Sequence, residues 1–390
     1  MGLSRAAAYA QINAVVHARY SDCLSGNTLR NLAKSDTLSA FISALDDTPY
    51  RPYLELPSTD LTPRRVVYQF RLLLAHVYDK LIRMTPHASR PLLIMLWQGY
   101  EVDNLKAILR GIENQASWEQ VLFLLSPMNR YNLLNIDTLH EILESNQISA
   151  AIQQLEKTPY FYPLSYALSR YQEENTLFPL EIALDLNYRR RLWRCIDRLG
   201  GEDHDQALRL VGRLLDRDNL LWALRYRIYH HLSQEEIINY TISRGYLVQD
   251  VDIMNIARGR SISEVLQRLF PNNTDIQALH SSIPDDSSIS NGFDDGWLLK
   301  LENILTADIH AQCRKTFLFS PFHIGIPLSY VLMVEMEIRT LTAIVEATAI
   351  KEAIPEIATI DMGEASPALR LQDKSINSIL ESYVQITTND

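Results

Sequence analysis

Glycine is scarce in this 390-residue chain, at 13 residues. The Gly/Pro punctuation that an all-β fold needs every roughly 8 to 12 residues is missing over long stretches. That absence favours helices. Cysteine is almost absent too: Cys23, Cys195 and Cys313 stand far apart and form no CxxC pair, so neither a disulfide framework nor a cysteine zinc site is predicted, and a reducing compartment fits. No apolar run reaches the ~18 residues of a membrane span; even 321–338 is broken by His323, Ser329, Glu335 and Glu337. The first residues lack an apolar signal region, and Gly2 is not followed by Ser or Thr at position 6, so neither export nor myristoylation is predicted. Positive charge is also short. The net charge is −10, and basic residues cluster only at Arg64-Arg65 and Arg189-Arg190-Arg191, which argues against a nucleic-acid partner.

What the chain does have is a core and a repeat. Hydrophobic residues make up 47% and charged residues 22%, values of a folded protein rather than a disordered one. The stretch Ser39-Ala-Phe-Ile-Ser-Ala-Leu-Asp-Asp-Thr-Pro-Tyr50 returns, 110 residues later, as Ser149-Ala-Ala-Ile-Gln-Gln-Leu-Glu-Lys-Thr-Pro-Tyr160. A weaker third copy starts at Ser263, a further 114 residues on. The pairs Leu29/Leu32, Leu139/Ile142 and Ile253/Ile256 keep the same two offsets. Three helical units follow, at 1–115, 116–232 and 233–390.

Each unit reads as short helices, a Pro-Tyr turn and two long helices. In the first, Thr62-Pro63 supplies a cap and a proline at the first helical position, and Val66, Val67, Phe70, Leu73, Leu74, Val77 and Leu81 follow at helical spacing. The next helix is predicted to stop at Gly111. The second unit uses Pro179–Trp193 and a helix through Val211–Leu224; the third uses 295–319 and 326–345, with 272–296 as a polar loop and a last helix around Ile376, Ile379, Leu380 and Tyr383. The fold predicted is all-α, built from long antiparallel helix hairpins.

The second long helices end alike, in Glu101-Val-Asp-Asn-Leu-Lys-Ala-Ile-Leu-Arg-Gly111, Asp216-Arg-Asp-Asn-Leu-Leu-Trp-Ala-Leu-Arg225 and Glu337-Ile-Arg-Thr-Leu-Thr-Ala-Ile-Val345. As paired catalytic carboxylates, Asp103 and Asp218 lack an accompanying histidine or metal-ligand spacing. Hydrogen bonding between helices, or capping, is the expectation for these Asp-Asn pairs, at most one of each facing deep core. With Leu177-Phe-Pro-Leu-Glu-Ile-Ala-Leu-Asp-Leu-Asn-Tyr-Arg-Arg-Arg-Leu192 and Ile324-Gly-Ile-Pro-Leu-Ser-Tyr-Val-Leu-Met-Val-Glu-Met-Glu-Ile-Arg339, these segments resemble the C-subunit family of the V/A-type rotary ATPases, whose eukaryotic member is the d subunit. The resemblance runs from about Arg19 to Val345. It departs where Thr340, Glu346 and Ala347 stand in place of the family's Asn, basic residue and Gly.

The resemblance implies three pseudo-repeated units forming a funnel, and a central-stalk coupling role between the axle subunits and the proteolipid rotor ring, serving ATP-linked proton or sodium transport. It implies no catalytic, cofactor-binding or metal-ligating residue, and a cytoplasmic protein attached peripherally to the membrane through the complex. The alternative is a free-standing helical scaffold for another protein.

Other candidates have plain explanations. His230-His231 and Asp203-His204-Asp205 look like metal ligands but lack ligand spacing. Gly200-Gly201 and Ala257-Arg-Gly-Arg260 lack the glycine spacing of a phosphate cradle. Ser117-Trp-Glu-Gln120 and Ser233-Gln-Glu-Glu236 have capping-box form. Asp285-Asp286 and Asp294-Asp295 are expected to be solvated, and Arg189–Arg191 to be solvated or ion-paired, with partner docking second. The corner Phe319–Leu328 is expected to be buried, with an apolar contact surface as the alternative.

Overall fold

The computed structural model describes residues 5–55, 57, 61–279, 283 and 296–358. The acidic pairs at 285–286 and 294–295, most of the polar loop 272–296, and the helix expected around 376–383 lie outside these residues. The described chain is all-α, without a strand.

In order, the helices are α1 (Arg5–Tyr20), α2 (Gly26–Leu32), α3 (Leu38–Ser43), α4 (Pro63–Met84), α5 (Arg90–Glu113), α6 (Trp118–Leu122), α7 (Ile136–Glu144), α8 (Ile148–Gln154), α9 (Phe161–Glu174) and α10 (Phe178–Asp197). There follow α11 (Gly201–Ala207), a π-helical turn Leu208–Gly212, α12 (Arg213–Ile228), α13 (Gln234–Asn239), α14 (Asp250–Ala257), α15 (Ile262–Leu269), α16 (Thr274–Leu279), α17 (Gly296–Thr316) and α18 (Gly325–Ala358).

Two compact units are present, one made of Met1–Ile12 with Tyr68–His204, the other of Asn13–Val67 with Asp205–Asp390. In the first, α10 packs against both α9 and α5. Its core joins Val102, Leu105 and Ile108 of α5 to Leu139 and Ile142 of α7, Ile152 of α8, and Leu180 and Leu184 of α10. In the second, α17 and α18 form an antiparallel hairpin, and α12 packs against α17 and α14. Helix α18 buries Ile326, Leu328, Val331, Leu332, Leu341 and Ile344 on several faces, as a helix does that is wrapped by neighbours.

The residues that keep the repeat offsets share a buried setting. Leu29 and Leu32 on α2, Leu139 and Ile142 on α7, and Ile253 and Ile256 on α14 are all buried. The two Thr-Pro-Tyr turns are alike: Thr48 Oγ1 donates to Leu45 O and receives Tyr50 N–H (2.7 and 3.3 Å), and Thr158 does the same with Leu155 and Tyr160 (2.7 and 3.2 Å).

Helix starts follow the predicted signals. Thr62 Oγ1 receives the Arg65 N–H at 3.3 Å ahead of α4. Ser233 and Glu236 exchange N–H bonds at 3.0 and 3.3 Å, and Ser117 N–H donates to Gln120 Oε1 at 2.9 Å. Gly111 is a correction. Helix α5 runs on to Glu113, and the left-handed stop is Gln115 at φ 53°. Gly111 sits within the helix because a β-carbon there would lie 2.8 Å from Val121 Cγ2 and 2.9 Å from Leu143 Cδ1.

Candidate functional site

The helix-end signature forms a set of buried polar latches. Asn104 on α5 receives the Ser126 N–H at 2.7 Å on Oδ1 and donates Nδ2 to Ser126 O at 3.0 Å. Asn219 on α12 makes the same two bonds with Ile242, at 2.8 and 2.9 Å. A side-chain amide carries one donor and one acceptor group, so it can satisfy both backbone groups of a loop residue that no helix serves. The asparagines thus tie a long helix to a loop, rather than joining two helices or capping a helix end as expected for these pairs. Asp103 points out, its side chain 63% exposed and 2.9 Å from Lys106 Nζ, and Asp218 pairs with Arg217 at 2.7 Å.

Close to these latches lie three acids that the sequence does not single out, each three residues before Asn104, Asn219 or Thr340. Glu101 accepts the Leu133 and Leu134 N–H groups at 2.8 and 3.2 Å. Asp216 accepts those of Tyr246 and Leu247 at 2.8 and 2.5 Å. Glu337 accepts Leu24 N–H and Tyr50 Oη, both at 2.6 Å. These backbone donors just precede the caps of α7, α14 and α2, so each long helix holds the start of a shorter helix. Gly245 lets its loop close on Asp216, where a β-carbon would collide with the carboxylate. Burial pushes all three carboxyls up, Asp216 to about 6 and Glu337 to about 7, against the pull of the hydrogen bonds they accept. Tyr160 occupies the position of Tyr50. Its phenol is raised by burial and by the Glu101 charge, and Arg191 lies 5.7 Å from the ring centre.

Thr340, at the place of the two asparagines, bonds back to Met336 O on its own helix at 3.0 Å. The position 110 residues before Ser126 is Val16, inside α1, where the backbone is already bonded. No loop N–H waits there for an amide, in keeping with a threonine in place of asparagine at 340. Ala347 is buried, and α18 continues through Ala358, where Glu352 Oε1 caps Leu38 N–H of α3 at 2.8 Å.

The remaining candidates also find places. Asp203 receives Tyr9 Oη at 2.6 Å, Ser89 Oγ at 2.7 Å and Arg5 at 3.1 Å, so it ties α1 to the corner between α4 and α5. His231, at φ 48°, ends α12, with Leu232 N–H bonded to Tyr226 O at 3.1 Å. Among the described residues no three His, Cys, Asp or Glu side chains converge as a metal site. The three cysteines are free thiols, and burial raises each, Cys313 to about 12, so none is a ready thiolate. Arg191 donates to Gln98 Oε1 at 3.0 Å, while Arg190 is exposed.

The corner between α17 and α18 divides the two expectations made for it. His323, Ile324, Ile326 and Leu328 are buried, whereas Leu318 is 80% and Phe319 64% exposed. The corner is nonetheless held firmly. Phe317 stacks on Tyr20 at 4.3 Å and meets His17 edge-on at 5.4 Å, Asn13 donates to Pro321 O, and His323 Nδ1 receives Gly325 N–H at 3.1 Å. Two large apolar side chains are thus presented to solvent on a braced turn.

Ion pairs run along the packed long helices. Lys106 meets Asp185 at 2.9 Å and Arg110 meets Glu181 at 2.6 Å between α5 and α10. Arg213 meets Asp308 at 2.6 Å and Arg225 meets Glu302 at 2.7 Å between α12 and α17. No helix in the described residues is long and apolar enough to cross a membrane.

Residues 12–355 match the family described as ATP synthase (C/AC39) subunit. The chain is similar to proteins named as the C subunit of A-type ATP synthase: it is 24% identical over 341 residues to that of Methanocaldococcus jannaschii (87% of this chain, 82% of the other). It is 26% identical over 367 residues to that of Thermococcus onnurineus and 28% over 364 to that of a Desulfurococcus species, each covering 90% of this chain and 91% of the relative. The match spans nearly the whole chain, and the chain belongs to the ATP synthase (C/AC39) subunit family.

Proposed function

We propose that this protein is the central-stalk coupling component of a V/A-type rotary ATPase, joining the axle subunits to the proteolipid rotor ring for ATP-coupled proton or sodium transport. It is a non-catalytic accessory subunit in this reading, attached to the membrane only through the complex. Its three repeat units, 1–115, 116–232 and 233–390, are the elements that transmit torque. A coupling component must be stiff and must bury a large complementary surface. The paired long helices, their ion-pair ladders and the carboxylate latches support the first requirement.

The observation that carries the reading beyond family membership is the braced corner with Leu318 and Phe319 in water. Large apolar side chains on a rigid turn are costly to leave exposed and fit a protein contact. The test is affinity purification of the tagged chain from its native membranes, beside a Leu318→Asp/Phe319→Asp variant. Wild type should retain ring and axle subunits, and the variant should lose the ring while melting as wild type does. Equal retention by both would remove the corner from the interface.

A further inference from the structure

The arginine run at 189–191 does not act as one unit. Arg191 turns in toward Gln98 and Tyr160, and Arg189 is half-buried beside Asp185. Arg190 turns out, and with Arg194 and Arg198 it forms an exposed line along the last turns of α10 and its C-cap. None of these three makes an ion pair or hydrogen bond among the described residues. That sets them apart from Arg110, Arg213, Arg225 and Arg339 on the other long helices, each of which has a carboxylate partner. It also runs against composition, since the chain has 47 acidic and 37 basic residues.

Like charges four residues apart on a helix repel. The negative end of the helix dipole compensates only in the last turn, which holds Arg194 but not Arg190. Asp197 is exposed at the same end, three residues after Arg194 and next to Arg198, whereas Arg190 has no acid three or four residues away on either side.

We propose that the outer face of α10 is a docking surface for an acidic helix of a neighbouring protein in the complex, gripped by Arg190, Arg194 and Arg198. Residues four apart on a helix are separated by about 6 Å along its axis. A second helix with Glu or Asp four apart repeats that spacing, and each guanidinium can take a carboxylate in a two-pronged contact. The partner is a protein because the chain belongs to a family of subunits of a multi-protein complex. The proposal rests on that membership and not on the coupling role or on the Leu318 corner.

The probe is a fluorescent alanine-based helical peptide with glutamates four residues apart, titrated with the full chain and followed by anisotropy at low and raised ionic strength. Wild type should bind it, more weakly as salt is added. Arg190→Ala/Arg194→Ala/Arg198→Ala should bind about tenfold more weakly, while the exposed-site control Arg258→Ala/Arg260→Ala should match wild type. Because the three arginines are exposed and unbonded, the triple variant should melt as wild type does. Absence of binding by wild type, equal binding by the triple variant, or equal binding of a single-stranded oligonucleotide or a peptide with adjacent glutamates would each overturn the proposal.

Discussion

Asn104 and its neighbour Asp103 differ in fate because a helix turns about 100° between them. One amide closes a buried loop, and the other side chain lies in water beside Lys106. Asn104→Ala strips partners from both Ser126 backbone groups, so a loss of about 1–3 kcal/mol in urea unfolding is expected. Asp103→Ala should stay within about 0.5 kcal/mol. Glu337 yields a pH prediction. Its folded pKa, about 7, lies above its ordinary value of 4.5, so the folded chain binds this proton more tightly than the unfolded chain. Its contribution is fully present below about pH 4.5 and is lost as pH rises through about 7. Comparing wild type with Glu337→Gln between pH 5 and 8 isolates it from other groups such as His310. The wild type should lose up to about 3 kcal/mol relative to the variant across that range, and parallel pH curves would refute the assignment. The three buried acids keep a constant spacing from Asn104, Asn219 and Thr340, and that much is legible in the sequence. Their role is not. The Asp-Asn pair stands out because adjacency is visible in a sequence, while a backbone partner some 30 or more residues away is not.

Local chemistry makes the helices legible at their starts more than at their ends. Thr62-Pro63, Ser117 and Ser233 announce caps whose partners lie within three residues. Gly111 misleads because glycine's usual role at a helix end competes with its other use, admitting a neighbour closely. Which one applies depends on Val121 and Leu143, both distant in sequence. Gly111→Ala is accordingly expected to destabilise the chain, although alanine favours helix by about 1 kcal/mol, because the methyl group would overpack against two buried side chains. A rise in melting temperature would show that Val121 and Leu143 yield easily. The ion-pair ladders give a second contrast. Asp185→Ala leaves Lys106, largely buried, with only exposed Asp103, and should cost about 1–2 kcal/mol. Asp46→Ala, which breaks a pair with exposed Arg51, should cost less than about 1 kcal/mol.

For the whole molecule, the repeat offsets are legible because identical turns require identical residues, as the Thr48 and Thr158 bonds illustrate. The corner at Leu318 is not. Its residues read equally as core or as contact surface until α1 is seen to brace them while leaving Leu318 and Phe319 bare. The bare apolar side chains on that braced turn and the exposed basic face of α10 are the surfaces on which the two proposals rest. The most direct measurement is purification of the tagged chain from its native membranes with quantitative mass spectrometry of what is retained. The coupling account predicts ring and axle subunits in near-stoichiometric amounts. A clean chain without them, with an intact rotary ATPase left in the membranes, would contradict it.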